Sequence, residues 1–255
     1  EWTAVPLAGP ANRQGRVAAD TIFGRPSRFR GVQGTAVCKV FDRVAALTGL
    51  SEKTLKRLGR SYAKVYLHPG HHAGYYPDAK PIDIKLLYDP QDGRVLGAQA
   101  VGEQGVEKRI DVLAAMIQMR ATVYDLEEAE LCYAPQFGAA KDPVNVAGMI
   151  ASNALRQDAP VSRWEDVDLS RDVVLDVRDR SEAAPDDLPG SVHIPLAELR
   201  RRMTELPKDR PIHCVCGVGQ RAYYATRALR EHGYDARNVS GGLQTIRAMR
   251  SSGAL

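Results

Sequence analysis

The chain has 255 residues, a formal net charge of +4 and 44% hydrophobic residues, which suits two modest domains with packed cores. The basic residues are spread along the chain, so nucleic acid is not an expected partner. No run of about 18 apolar residues occurs, so no membrane span is expected either, and four cysteines are too few for a disulfide framework, which predicts reduced thiols in a cytoplasmic protein.

The first 33 residues are predicted to be the remnant of a larger upstream domain. Residues 1–8 are typical of the apolar end of a strand, and residues 12–23 are typical of a helix that ends at Gly24. These elements are too short to bury a core of their own, so we expect that they were cut from a larger domain.

In residues 34–155, strand signals are grouped before helix signals. Four segments with β-formers or alternating apolar residues are predicted strands, at residues 35–44, 62–67, 82–88 and 95–101. A turn at 89–93 predicts a hairpin between the last two. Ser51 is a candidate cap for a short helix at 52–58, and helical spacing predicts a helix over 106–117. The order predicts an α+β domain with an antiparallel sheet and helices.

The rest of the chain has a different pattern. Residues 156–162 are polar and contain a proline, which predicts a linker. Residues 173–177 form a continuous apolar run, typical of a strand buried on both faces of a parallel sheet. A strand, a helix and a second strand follow over residues 212–239, so we predict a small α/β domain with a parallel sheet at 163–255.

The loop between that strand and helix is the most informative segment of the chain. Its residues are Cys216, Gly217, Val218, Gly219, Gln220 and Arg221. A thiol at a glycine-rich helix N-terminus has its thiolate stabilised by converging backbone N–H groups and by the helix dipole. Arg221 adds a positive charge, so the loop predicts a nucleophilic cysteine that faces an anion.

Three other interpretations of the loop compete with this one. Residues 217–222 also fit the G-x-G-x-x-A dinucleotide fingerprint, but Asp235 begins the next strand instead of ending it, and about 20 residues after it cannot complete a nucleotide-binding half. A cysteine phosphatase places five residues between cysteine and arginine. The four found here make a tighter cradle, which favours a sulfur-borne anion. A buried cysteine in an ordinary turn is the remaining alternative.

Four ordered landmarks resemble the rhodanese family. They are residues 175–178, residues 188–195, the loop Cys216-x-x-Gly219-x-Arg221 and the pair Gly241-Gly242. Ser191 and His193 depart from the family's G-A-x-N-I-P segment. The resemblance covers residues 163 to about 250 and implies a rhodanese domain.

The rhodanese resemblance implies that Cys216 attacks a sulfane sulfur donor, stores the sulfur as a persulfide and passes it to a thiol or cyanide. Backbone N–H groups of residues 217–221 would hold the negative charge. Arg221 either contacts the anionic group of the donor or braces the loop, and the sequence leaves both roles open. Cys214 is predicted to be a packed structural cysteine, because a C-x-C disulfide within one strand is strained.

Segments of the first half resemble the dimerisation domain of flavin-dependent pyridine nucleotide-disulfide oxidoreductases. They are residues 74–77, residues 108–113 and residues 133–145, and the closest branch is the coenzyme A disulfide reductases with a fused rhodanese domain. The resemblance implies a homodimer that acts on coenzyme A or on low-molecular-weight thiols and persulfides. It also implies that Tyr75 and Tyr133 reach into the partner subunit's coenzyme A site, where hydroxyls can steady a thiolate. Interface packing is the alternative role of these tyrosines.

The resemblance implies FAD and NAD(P)H as cofactors of a full-length parent, and it implies that residues 1–33 are the remnant of an upstream FAD-binding domain. Residues 6–16 are similar to the flavin-contacting stretch before the dimerisation domain, which makes Pro6, Leu7 and Ala8 candidate flavin contacts. The N-terminal FAD domain, the NAD(P)H domain and the redox cysteine of the reductase have no counterpart in this sequence. We therefore expect no cofactor on this chain alone and no reduction of coenzyme A disulfide by it.

Two further groups of residues are predicted to have structural roles. Cys38 lies in a β-like apolar run and Cys132 follows Leu131, so both are predicted to lie in the core. His68, His71 and His72 are predicted to lie in a solvent-exposed loop instead of a metal site, because no cysteine or carboxylate has a fitting spacing.

The sequence thus favours the C-terminal half of a coenzyme A disulfide or persulfide reductase whose rhodanese domain transfers sulfane sulfur through Cys216. The alternative is a non-catalytic dimerisation module that binds coenzyme A persulfide or a partner. Intact Cys216 and Arg221 favour the enzyme.

Overall fold

The computed structural model describes residues 4–184 and 187–253. Its first helix, α1, covers Ala8–Ile22 and so begins before residue 12, the predicted start. Of the predicted strand end, Ala8 is helical, residues 4–7 are irregular and residues 1–3 lie outside the described residues. Pro10 fits the first turn of α1 because the N–H groups of a first turn need no partner within the helix.

Five antiparallel strands form the first sheet, in the order β1-β2-β5-β4-β3. Numbered along the chain, they cover Ala36–Val40, Arg43–Gly49, Ala63–Leu67, Ile82–Tyr88 and Val95–Gly102. β4 and β5 form the predicted hairpin, with Ile84 opposite Ala100. The single strand predicted over 35–44 is instead interrupted after Val40, because Phe41 has a φ of 53° and begins a tight turn into β2.

Four helices accompany this sheet: α2 (Glu52–Arg57), α3 (Val106–Gln118), α4 (Val123–Glu128) and α5 (Pro143–Leu155). Ser51 caps α2 as predicted, since its hydroxyl oxygen accepts a hydrogen bond from the backbone N–H of Thr54 at 3.1 Å. α3 packs on β2 and β5, and α5 packs on β3. The predicted α+β class with an antiparallel sheet is confirmed.

The second sheet is parallel, in the order β6-β10-β9-β7-β8. Its strands β6 to β10 cover Val161–Ser162, Val173–Asp176, Val192–His193, Ile212–Val215 and Ala236–Val239. Its helices are α6 (Leu196–Arg202), α7 (Gln220–Glu231) and α8 (Gly242–Ser251). The predicted α/β class is confirmed. Val161–Ser162, the end of the predicted linker, is a strand of this sheet beside β10.

Both faces of the parallel sheet are buried, which explains the continuous apolar run at 173–177. Leu175 and Cys214 belong to the core on one face, whereas Val174 and Val215 belong to the core on the other. Side chains alternate along a strand, so a strand covered on both sides needs apolar residues at consecutive positions. Within the described part of the chain, no helix is long and apolar enough to cross a membrane.

The two sheets are joined where β3, an edge strand of the first, meets β10 and α8 of the second. The backbone N–H of Tyr66 in β3 donates to Ser240 Oγ, which follows β10, at 2.7 Å. Lys64, also in β3, forms an ion pair with Glu165 at 2.7 Å. A cleft of about 510 Å³ lies at this junction and borders the loop residues Val218, Gly219 and Gln220.

Candidate functional site

Cys216 follows directly after β9, at the carboxyl edge of the parallel sheet. Its side chain is buried, and its Sγ accepts hydrogen bonds from the backbone N–H groups of Gly219 at 3.2 Å and Ala222 at 3.4 Å. Both donors lie where the chain enters α7, so the positive end of the helix dipole reinforces them. The sequence indicated donors within residues 217–221 and missed Ala222, which lies in the first turn of α7.

Gly219 sets the shape of the loop. Its φ of 97° is open to glycine and costly for residues with a Cβ, and this conformation turns its N–H towards the Cys216 sulfur. Its carbonyl accepts from the side-chain amide of Asn238 in β10 at 3.1 Å and from the N–H of Tyr223 at 2.9 Å. Asn238, which the sequence analysis missed, therefore ties the loop to the neighbouring strand.

α8 closes the loop from the other side. The backbone N–H of Leu243 donates to the Cys216 carbonyl at 2.8 Å, and that of Gln244 donates to the Gly217 carbonyl at 3.0 Å. A Cβ on Gly242 would lie 2.3 Å from the Cys216 carbonyl oxygen, so glycine is required for this approach. The double glycine that resembles the rhodanese pattern thus has a physical role, which is to let α8 touch the cysteine loop.

Arg221 is engaged by two carboxylates. Its Nη1 lies 3.0 Å from Asp179 Oδ2 and 2.6 Å from Glu182 Oε2. The hydrogen bond that Arg221 donates to Glu182 raises the pKa of Arg221 and lowers the pKa of Glu182. These contacts brace the loop against the segment after β7, one of the two roles that the sequence left open. The two acidic partners were not anticipated, because they lie about 40 positions away.

Cys214 is fully buried in the core of the parallel sheet. Burial raises the pKa of its thiol to about 12, because the thiolate would lose its hydration. A protonated thiol is a poor nucleophile, so the predicted structural role of Cys214 agrees with its surroundings.

Tyr75 and Tyr133 lie together although 58 positions separate them. Their hydroxyl oxygens are 2.6 Å apart, and both side chains are exposed. The hydrogen bond with Tyr75 raises the pKa of Tyr133, so its phenol loses its proton less readily than an ordinary tyrosine. The structure therefore brings together the two tyrosines that the sequence singled out, on the surface of the first domain.

A buried arginine holds the two tyrosine-bearing loops. Arg109 in α3 is 1% exposed and forms an ion pair with Asp142 at 2.9 Å. It also donates to the His71 carbonyl at 2.7 Å, so one guanidinium links the loop of Tyr75 to the loop of Tyr133. The sequence offered only a weak signal for this role, an arginine inside an otherwise apolar helical stripe.

Two predictions about burial are wrong. Cys38 and Cys132 are both exposed, whereas the sequence placed them in the core. β1, which carries Cys38, is an edge strand outside the area where α3 packs, and Cys132 lies in an irregular loop.

The histidine segment is not a solvent-exposed loop. His71 and His72 are buried, with ring centroids 4.0 Å apart. The N–H of His71 donates to the Lys80 carbonyl at 2.8 Å, and the N–H of Lys80 donates to His71 Nδ1 at 3.0 Å. The chain between β3 and β4 therefore folds back on itself. The proline and glycine at 69 and 70 are typical of an exposed turn, which is why the sequence predicted a solvent-exposed loop.

The candidate flavin contacts lie at the start of α1. Pro6 and Ala8 are exposed and Leu7 is partly exposed, and α1 itself has no buried residue. A flavin requires an enclosing pocket, which these residues do not form by themselves, so their role as flavin contacts stays a prediction.

Two family models match the chain. Residues 35–142 match the pyridine nucleotide-disulphide oxidoreductase dimerisation domain, and residues 162–249 match the rhodanese-like domain. The chain thus combines an oxidoreductase dimerisation domain with a rhodanese-like domain that carries the Cys216 loop.

Individual relatives show which oxidoreductases the chain is similar to. A coenzyme A disulfide reductase of Staphylococcus aureus (strain bovine RF122 / ET3-1) is 38% identical over 146 residues, which cover 57% of this chain and 33% of the relative. Reduced CoADR-RHD of Bacillus anthracis is 45% identical with a TM-score of 0.90, covering 94% of this chain and 44% of that one. An NAD-dependent persulfide reductase from A. fulgidus is 37% identical with a TM-score of 0.84 and the same coverage.

These similarities confirm the resemblance drawn from the residues, to coenzyme A disulfide reductases with a fused rhodanese domain. The chain spans a third of the length of the curated relative and less than half of the two solved structures.

Proposed function

We propose that this chain transfers sulfane sulfur through a persulfide on Cys216. The Cys216 thiolate attacks the outer sulfur of a donor such as thiosulfate, a new S–S bond forms, and the donor's own S–S bond breaks with release of sulfite. An acceptor thiolate or cyanide then attacks the outer sulfur, and Cys216 leaves as the thiolate. Each step moves one electron pair and needs no external oxidant or reductant.

The observation that carries this proposal is the pair of backbone N–H groups that point at Cys216 Sγ. Gly219 and Ala222 supply donors for a charge that resides on sulfur, fixed in place before any substrate binds. The four-residue spacing to Arg221 supports a sulfur anion over a phosphoryl group. In this proposal Arg221 braces the loop through Asp179 and Glu182.

The first test replaces the nucleophile. Cys216→Ser is expected to reduce thiosulfate- or persulfide-dependent sulfur transfer to background, because the hydroxyl is a weak nucleophile that cannot store sulfur. Cys214→Ala is the matched control, since this buried neighbour is expected to cost about 1 kcal/mol of stability and to retain transfer. The measurements are a sulfur-transfer assay and the mass of the persulfide. Equal activity of Cys216→Ser and the unchanged chain would leave the non-catalytic binding module as the better description.

We further propose that the chain corresponds to the C-terminal part of a coenzyme A disulfide or persulfide reductase. FAD and NAD(P)H would act in the remainder of that enzyme, a homodimer in the cytoplasm. In this scheme residues 34–155 form the dimerisation domain, residues 156–162 lead out of it and residues 163–255 form the rhodanese domain. The order of the two matched family models and the relatives' descriptions support it.

Coenzyme A or a related thiol would meet the Tyr75–Tyr133 pair in this scheme, with the protonated phenol of Tyr133 as a donor. Tyr75→Phe removes the hydrogen bond that raises the pKa of Tyr133, so that pKa is expected to fall towards its ordinary value. Titration by NMR with ¹³C-labelled tyrosine rings would show the shift, and Tyr133→Phe would assign the signal. An unmoved Tyr133 titration would mean that the two hydroxyls do not interact in solution.

A further inference from the structure

The cysteine loop is supported by α8, and α8 is in turn held by the first domain. Thr245 and Gln244 in the first turns of α8 contact His68, which follows β3, and Asp83 in β4. The backbone N–H of the same Gln244 donates to the Gly217 carbonyl. A continuous set of hydrogen bonds therefore runs from the dimerisation domain to the loop that carries the nucleophile.

We propose that His68 and Asp83 are positioning residues for the sulfur-transfer site, acting from the other domain through α8. The proposal rests on the proposed function of Cys216 and adds to it a requirement for the first domain. The fusion of the two domains would then contribute directly to the geometry of the Cys216 site.

The contacts at His68 are short, and its imidazole is buried although the Asp83 side chain is half exposed. His68 Nδ1 lies 2.6 Å from Asp83 Oδ1 and His68 Nε2 lies 2.8 Å from Thr245 Oγ1, while the His68 side chain is 6% exposed. The hydrogen bond with His68 lowers the pKa of Asp83, so the carboxylate is charged and only accepts. Nδ1–H therefore donates to Asp83, and in the neutral ring Nε2 accepts the Thr245 hydroxyl proton.

Asp83 holds two partners at once. Its Oδ1 also accepts from the side-chain amide of Gln244 at 2.8 Å. The carboxylate thus orients the imidazole and fixes the α8 residue whose backbone N–H reaches the loop. Removing either His68 or Asp83 would therefore remove a hydrogen bond that holds the start of α8 in place.

Close packing transmits this constraint to Cys216. A Cβ on Gly241 would lie 2.0 Å from Thr245 Oγ1 and 2.9 Å from His68 Nε2, so these two side chains fill the space beside the glycine backbone. The next residue, Gly242, lies directly against the Cys216 carbonyl. Packing of this density is deformed as a unit, so a displaced Thr245 shifts the glycine pair and the cysteine loop with it.

Other contacts also hold the two domains together. Loss of His68 therefore should not separate the domains, and its effect on the cysteine loop can be measured by itself. Ser240 Oγ accepts the N–H of Tyr66, and Lys64 pairs with Glu165. Glu165 lies in the short 3-10 turn Trp164–Asp166, and its contact with Lys64 is the same kind of interdomain link without a bond to the cysteine loop. Glu165→Gln is therefore a matched control.

The test measures Cys216 itself in the full chain. His68→Leu is expected to slow persulfide formation on the order of tenfold, because misplaced donors no longer fit the sulfur. It should also move the pH profile of Cys216 alkylation upwards, measured by iodoacetamide labelling and peptide mass spectrometry. Arg221 and Cys214 are the charged and titratable neighbours of that sulfur, and neither is changed. Glu165→Gln should leave rate and profile unaltered.

A conservative variant and a double variant distinguish a positioning role of His68 from a general loss of structure. His68→Gln keeps a polar group within reach of Thr245 and should recover most of the rate. Thr245→Val should act like His68→Leu, and the double variant should be no worse than either single one, since both break the same contact. Thermal melts check that each variant is folded.

Wild-type persulfide formation and an unmoved alkylation profile in folded His68→Leu would overturn the proposal. The alkylation profile needs no sulfur transfer, so it tests the positioning role even if Cys216→Ser removes the catalytic assignment. Additive effects in the double variant would also count against a single connected contact.

Discussion

Gly242→Ala is expected to slow sulfur transfer severely while the first domain stays folded. Gly242 has a φ of 58°, and an added Cβ would lie 2.3 Å from the Cys216 carbonyl and 2.9 Å from the Gly219 N–H nitrogen. The carbonyl belongs to the nucleophilic residue itself, and the Gly219 nitrogen carries the N–H that donates to the Cys216 sulfur. Both are backbone atoms, so the clash moves the site itself, and a loss of about 100-fold or more is expected.

The matched control for Gly242→Ala lies in the same loop. A Cβ on Gly217 would meet no atom within 4 Å, and its φ is not positive, so Gly217→Ala should be far milder. The measurements are single-turnover persulfide formation and the rate of Cys216 alkylation. Comparable losses in the two variants would show that any side chain in this loop is harmful, and the close approach of α8 would then not explain the double glycine.

The position of this site was predictable from the sequence, whereas its support was not. Local signals identified Cys216, the glycines and the helix start, because strand, turn and cap chemistry depends on neighbouring residues. The contacts of Asn238 and Gln244 with the loop arise from the packing of β10 and α8 against it. Such long-range contacts leave no periodic trace in one sequence.

The errors about burial have a related cause. Cys38 lies in a segment of β-formers, and the prediction that this residue belongs to a strand is correct. Whether a strand residue is covered depends on the place of that strand in the sheet, and β1 is at an edge. His71 and His72 were misassigned for the opposite reason, since a polar, turn-like sequence is buried when other elements fold over it.

Arg109→Met is expected to destabilise the first domain by about 3–5 kcal/mol, because it leaves a buried carboxylate without its cation. Asp142 is 3% exposed and caps α5 by accepting the N–H of Val144 at 3.1 Å. The His71 carbonyl would also lose its donor at 2.7 Å. Denaturant unfolding measures the loss. The surface pair of Arg156 and Glu127, with side chains 44% and 23% exposed, offers the control, since Arg156→Met should cost about 1 kcal/mol.

The Arg109 variant also tests what positions the tyrosine pair. If the guanidinium holds the two loops together, Arg109→Met should separate Tyr75 from Tyr133 and lower the pKa of Tyr133, as Tyr75→Phe does. The double variant Arg109→Met/Asp142→Asn should regain part of the lost stability, because asparagine still caps α5 and no unpaired charge stays buried. It should not restore the tyrosine contact, since the link to the His71 carbonyl is still missing. Recovery of both properties in the double variant would mean that the buried charge, and not the guanidinium bridge, decides where these loops lie.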